Sequence, residues 1–278
     1  MEPVLVPARF NGPAGSGNGG WVSGRLAAVL EPGADEAIRV VLRSPPPLDV
    51  PLQVQAGADG GLSAWSGDVL VATVNRVPSP FGVPAPDPVG WAVAVSAAGA
   101  YAGAVDHPFP TCFVCGPRRE PGDGLRLTPG RLPARPTDTA AAWLPDASLA
   151  GAGSDRVDLA ACWAALDCPG GWSLDLVGRP MVLGTMTTQV RELPHVGGRY
   201  VVVGRALGQQ GRKAFTETVL YDASEGGVEG SGSVVLGSAA LDAVGLGSGA
   251  WAVPGAAVPL ARATSVWLRV DPATVRPA

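Results

Sequence analysis

Asp167-Cys168-Pro169-Gly170-Gly171 sets a carboxylate at the end of an apolar helical stripe, Val157 to Leu166, and beside a glycine-rich corner. A carboxylate so placed can take a proton or orient a water. It can equally cap a helix or pair with a buried arginine. A second glycine-rich stretch, Gly15-Ser16-Gly17-Asn18-Gly19-Gly20, satisfies G-x-G-x-x-G between an extended run and a helical one. A dinucleotide fold would need strand-helix alternation after it and an acid closing the second strand. Here strands follow one another and the second ends at Arg43. What survives is a helix N-terminus with open N–H groups and Asn18 as its N-cap, suited to an anion or a polarised carbonyl oxygen.

The four cysteines sit mid-chain. Cys112-x-x-Cys115 has the spacing of half a zinc site, and His107, Cys162 or Cys168 could complete it. No second pair of that spacing exists, so the expectation is structural cysteine and no metal. A thiol nucleophile would need a histidine, and His107 and His195 each adjoin a proline in loops. There is no G-x-S-x-G elbow, which argues against an α/β-hydrolase. Arg212-Lys213 follows Gly208-Gln209-Gln210-Gly211 at a strand-to-strand turn, and Lys213 is the only lysine. Two cations at a loop tip suit phosphate groups; a solvated hairpin turn uses the same residues.

These groups belong to a chain of 278 residues with net charge −4, 46% hydrophobic and 16% charged residues, a pI of about 5.2 and a mean hydropathy of +0.22. That composition excludes disorder and lacks the basic field needed for nucleic acid or anionic lipid. No apolar run reaches membrane-spanning length and no leader pattern opens the chain, so the expected setting is cytoplasmic with reduced thiols. With 39 glycines and 28 prolines, nearly a quarter of the chain, many turns and short elements are expected rather than long bundles.

Trp21 to Leu30 has a helical face, stopped by Pro32-Gly33. Ala37 to Arg43, Leu52 to Ala56, Leu62 to Trp65 and Val69 to Val77 read as strands, the last two a hairpin. Five prolines between Pro78 and Pro88 make a semi-rigid linker. The second half repeats the order. Thr139 to Leu144 is extended, and the helical stripe Val157 to Leu166 precedes strand runs at Met181 to Val190, Tyr200 to Leu207, Ala214 to Tyr221 and Ser231 to Leu236. Gly19-Gly20-Trp21 and Gly170-Gly171-Trp172 echo each other. The tail from Gly249 holds one strand-like run, Ser265 to Val270, with no evident partner.

One helix wrapped by an antiparallel meander, occurring twice, resembles the hotdog fold, and the whole chain is similar to a fused double hotdog of the acyl-CoA thioesterase superfamily. Asn11 to Gly20 resembles the signature in which Asn, Gly and His-Gly-Gly open the central helix, with Asn18 in place of the His. Cys112-Phe113-Val114-Cys115-Gly116-Pro117, followed by Gly124-Leu125, resembles a Cys-x-x-Cys-Gly opening of many hotdog thioesterases. Leu166-Asp167 before Gly-Gly-Trp is similar to the catalytic Leu-Asp of double hotdogs. The Thr and Gln that complete that family's site have no clear match near Gly204 or Ser231.

The resemblance implies an α+β protein of two fused hotdog domains, each a long central helix wrapped by an antiparallel sheet, over residues 1–105 and 106–278. It implies hydrolysis of an acyl-CoA or acyl-carrier thioester with no cofactor. Asp167 would activate water or attack, and Asn18 would polarise the carbonyl. Backbone N–H groups near Gly20, Gly170 and Gly171 would hold the oxyanion. Trp21 or Trp172 would line the acyl channel, and Arg212 and Lys213 would hold coenzyme A phosphates. The alternative is a non-catalytic acyl-thioester or lipid-binding hotdog. A dehydratase would need a histidine on the central helix, which neither half has. Association into a homo-oligomer is left open.

Overall fold

The computed structural model describes residues 1–81, 84–224 and 258–271. Their ten strands form one antiparallel sheet, ordered β2-β3-β4-β1-β7-β10-β9-β8-β6-β5. The N-terminal strands are β1 (Ala37–Leu42), β2 (Gln53–Ala56), β3 (Leu62–Ser66) and β4 (Val69–Val77). The remainder are β5 (Gly130–Leu132), β6 (Arg135–Trp143), β7 (Met181–Val190), β8 (Tyr200–Gln210), β9 (Lys213–Asp222) and β10 (Ala261–Arg269). The two groups meet where β1 pairs with β7, Val40 opposite Met186 and Ile38 opposite Thr188. The run expected at Ser231 to Leu236 lies outside the described residues.

Among the described residues four α-helices accompany the sheet: α1 (Gly19–Ala27), α2 (Trp91–Ala97), α3 (Leu159–Ala165) and α4 (Cys168–Trp172). The long central helices expected from the resemblance are short. Helix α1 spans nine residues and tightens into a 3-10 turn at Ala28–Leu30, after which Glu31 takes a left-handed φ of 49°. The second is split. Pro169 lacks the N–H that would continue the ladder, and in a continuous helix its ring would collide with the carbonyl four residues back, so α3 ends and α4 starts anew around Asp167.

Side-chain alternation explains how the sheet is covered. On β8, Val202 joins the main core with α1, α3 and β1, while Val201 and Val203 point to the opposite face. There they meet Ala94 and Ala97 of α2, together with Val219 and Tyr221. The helix α2 was not expected from the sequence. The tail run, extended to Ala261–Arg269, lies in the middle of the sheet between β7 and β9. It carries Arg262, 1% exposed, which is ion-paired to Glu217 and stacked 4.9 Å from the Phe81 ring centre.

The helices α1 and α3 cross through small residues. A Cβ added at Gly24 would lie 2.7 Å from Trp163 Cβ and 2.8 Å from Ala160 Cα; one added at Gly20 would lie 2.5 Å from Asp167 Cβ and 3.1 Å from Ala164 Cα. Glycines one turn apart therefore let the helices approach closely, and that approach brings the start of α1 to the break between α3 and α4.

Candidate active site

The glycine-rich stretch before α1 and the Cys-x-x-Cys segment are bound to each other. Phe113 N–H donates to the Asn11 carbonyl at 2.8 Å, and the Asn11 side-chain amide donates to Thr111 Oγ1 at 3.1 Å. Arg119 reaches across to the Arg9 carbonyl at 2.7 Å, to Asn11 Oδ1 and to Asp123. This clasp fixes the entry to α1 against the neighbouring loop. At that entry Asn18 Oδ1 accepts from Trp21 N–H at 2.8 Å, the cap geometry expected of its residue type.

The other end of the Asn18 amide serves the carboxylate. Asn18 Nδ2 and Gly20 N–H both donate to Asp167 Oδ2, each at 2.9 Å. Asp167 is 2% exposed, and its second oxygen, Oδ1, is buried without a hydrogen-bond partner. Burial pushes its pKa up to about 7; the Gly20 N–H pulls the other way, the Cys112 sulfur adds to the rise and the Asn18 amide opposes it. A carboxyl with one oxygen anchored and the other unengaged, poised near neutrality, can accept a proton from a water or substrate.

Asp167 lies on the wall of a cavity of about 630 Å³, whose lining includes the Gly12 to Gly19 loop, Phe109, Trp172, Leu183 and Trp267. Most of that wall is apolar. Arg43 and the prolines Pro45 and Pro46 also border it, a contribution of the β1 exit in which the sequence showed only the end of a strand. Trp267 was hidden in the tail; its only signal was the strand-like run around it.

The other candidate residues are distributed unevenly. Trp172 borders the cavity and packs edge-on to Tyr101 and His107. Trp21 is buried and stacks on Phe10, ring centres 4.0 Å apart, and is not among the lining residues. Gly170 and Gly171 are buried where side chains would strike Thr218 Oγ1 and the Trp267 ring respectively. A side chain at Gly204 would strike the Pro169 carbonyl, so β8 presses directly on α4. Arg212 and Lys213 are exposed at the β8–β9 turn. Lys213 pairs in register with Leu268, which borders the cavity. Ser231 lies outside the described residues.

The fold also assembles cysteines that spacing could not bring together. Cys168, at the start of α4, places its sulfur 3.8 Å from that of Cys112, and the sulfurs of Cys112, Cys115 and Cys168 all lie within 4.8 Å of one another. His107 Nε2 is 3.3 Å from the Cys115 sulfur. Cys162 is buried in α3 and is not part of the group. Three such thiols can hold a metal ion.

No protein-family profile matches the chain, and no curated protein matches it. Solved structures do. A hot dog fold protein from Alicyclobacillus acidocaldarius is similar over 97% of this chain and 92% of its own, with a TM-score of 0.57 and 13% identity. The tesB protein of Mycobacterium avium subspecies paratuberculosis matches with a TM-score of 0.51 and 12% identity, over 96% of this chain and 91% of its own. An acyl-CoA thioesterase II, TesB2, of Mycobacterium marinum matches with a TM-score of 0.50 and 11% identity, over 94% and 93%.

Proposed function

The chain has a hotdog fold, and we propose that it consists of two fused hotdog units which hydrolyse an acyl thioester, coenzyme A being the carrier. The observation that carries this reading is Asp167, buried on the cavity wall with Oδ2 anchored by Gly20 N–H and the Asn18 amide and with Oδ1 unengaged. The fold likeness to proteins named thioesterases supports it.

In the proposed reaction the acyl group lies in the apolar cavity with its thioester beside Asp167. Oδ1 accepts a proton from a water as that water's oxygen attacks the carbonyl carbon. The developing oxyanion is met by the Gly19 N–H at the start of α1, since Gly20 N–H already serves the carboxylate and Trp21 N–H the Asn18 cap. The carbon–sulfur bond then breaks, and the proton passes from Asp167 to the departing thiolate. Both ends of the Asn18 amide are engaged, so Asn18 acts here as a positioning residue that sets Asp167 and caps α1. Trp172 borders the acyl site, while Arg212, Lys213 and Arg43 supply the positive charge for the carrier's phosphates. No helix among the described residues is long and apolar enough to cross a membrane; a cytoplasmic setting with reduced cysteines completes the proposal.

Thiol release from short, long and aromatic acyl-CoA substrates tests it, with the natural chain beside Asp167→Ala. Turnover that disappears in the variant is expected. Absence of turnover on every acyl-CoA would overturn coenzyme A thioester hydrolysis and leave the alternative of a binding protein.

A further inference from the structure

The catalytic proposal makes no use of the sulfur cluster on the same cavity wall, and the local backbone there is unusual for thiols that merely fill space. Cys112 to Cys115 is a tight turn closed by Gly116 N–H donating to the Cys112 carbonyl at 2.9 Å. A side chain at Gly116 would lie 2.5 Å from Cys112 N and 2.6 Å from its carbonyl oxygen, so the turn requires glycine there. The turn holds the Cys112 and Cys115 sulfurs within 4.8 Å of each other, the pairing that a Cys-x-x-Cys metal ligand requires. Cys168 then arrives from the far side, 56 residues along the chain.

We infer that Cys112, Cys115 and Cys168 form a three-sulfur site for a thiophilic divalent metal ion, zinc above all, with the fourth coordination position facing the cavity.

Distance supports the assignment. Two sulfurs bound tetrahedrally to zinc at about 2.3 Å stand ~3.8 Å apart, and Cys112 and Cys168 are separated by 3.8 Å. A disulfide needs about 2.05 Å and would leave the third thiol unmatched, whereas a soft cation uses all three. His107 is placed as an outer partner rather than the fourth ligand. Its Nδ1 accepts from Phe109 N–H at 2.8 Å, so the neutral ring carries its proton on Nε2, which is directed at the Cys115 sulfur at 3.3 Å. The Asn18 amide stands 3.8 Å from the Cys112 sulfur. N–H groups therefore face the sulfurs from His107 and from Asn18, which offsets the net negative charge of three thiolates around one divalent cation. The cavity, bordered by all three cysteines, gives the ion a path in and leaves room for a water in the fourth position.

This assignment does not depend on thioester hydrolysis, and its test uses no substrate. The full chain, without an added histidine tag and kept reduced, is purified and its metal content measured; about one zinc per chain is expected. Replacing that zinc with cobalt(II) is expected to give the intense sulfur-to-cobalt charge-transfer absorption of a thiolate site. Cys112→Ser and Cys168→Ser should each lose the stoichiometric metal and the band, whereas Cys162→Ser should keep both. A reduced chain that holds no zinc after incubation with excess and desalting would overturn the assignment, as would a cobalt complex without the thiolate band. Because the cobalt spectrum is read on the natural chain, the result stands even where a serine variant fails to fold.

Discussion

Replacing Gly20 and Gly24 separately by alanine should have nearly the same effect on stability and very different effects on activity. At Gly24 the added methyl would sit 2.7 Å from Trp163 Cβ, 2.8 Å from Trp163 Cγ and 2.8 Å from Ala160 Cα. Carbon atoms that touch without strain lie near 3.5–4.0 Å, so α1 and α3 must part by roughly 0.7–1 Å. Overpacking of that size costs about 1–3 kcal/mol, and the better helix propensity of alanine returns at most ~1 kcal/mol. With that full return the net loss is up to about 2 kcal/mol, lowering Tm by up to roughly 8 °C in a chain of this length. At Gly20 the methyl meets Asp167 Cβ at 2.5 Å and the Trp163 carbonyl at 3.0 Å, so the carboxylate itself must yield. A displacement of about 1 Å in a reacting group can lower turnover ~100-fold. Thermal unfolding and acyl-CoA hydrolysis measured on both variants separate the two effects. The reasoning is refuted if Gly24→Ala raises Tm, or if Gly20→Ala retains the natural kcat/KM.

Three further outcomes are expected. Because Asp167 must be ionised to accept a proton and its pKa is pushed up to about 7, kcat/KM should rise as pH increases through about 7 and level off above it; a pH–rate profile flat from pH 5 to 9 would contradict this. The double variant Arg212→Ala/Lys213→Ala should raise KM for acyl-CoA several-fold while leaving a short acyl-pantetheine, which has no nucleotide phosphates, unchanged; equal effects on both would remove these cations from the carrier site. Glu217→Ala should remove a buried carboxylate that is ion-paired to Arg262 and destabilise the chain by up to about 3–5 kcal/mol in urea unfolding, whereas a loss below ~1 kcal/mol would contradict a stabilising role for the pair.

Hydrophobic period and turn residues made most of the sheet legible. The runs at Ala37, Leu62, Val69, Met181, Tyr200 and Ala214 all became strands, because alternation is a local property. The tail strand was visible as a run, but its place between β7 and β9 rests on pairings tens of residues away. Helix α2 was missed because its sequence, Trp-Ala-Val-Ala-Val-Ser-Ala, alternates like a strand and follows a proline-rich segment. The break at Asp167 was partly legible in Pro169; the helix lengths were not, since the crossing of α1 and α3 depends on which glycines face which alanines. Asp167 and Asn18 were singled out by residue type, yet their direct hydrogen bond spans 149 positions and no spacing rule could supply it. The same holds for Cys168, whose meeting with Cys112 is made by the fold.

The isosteric change Asp167→Asn, assayed on the best acyl-CoA substrate beside the natural chain with circular dichroism to verify folding, tests the central claim most directly. The amide keeps the shape of the carboxylate but cannot accept the proton from water, so a folded variant with hydrolysis reduced by at least ~100-fold is expected. A folded Asn variant that hydrolyses acyl-CoA at the natural rate would contradict the account.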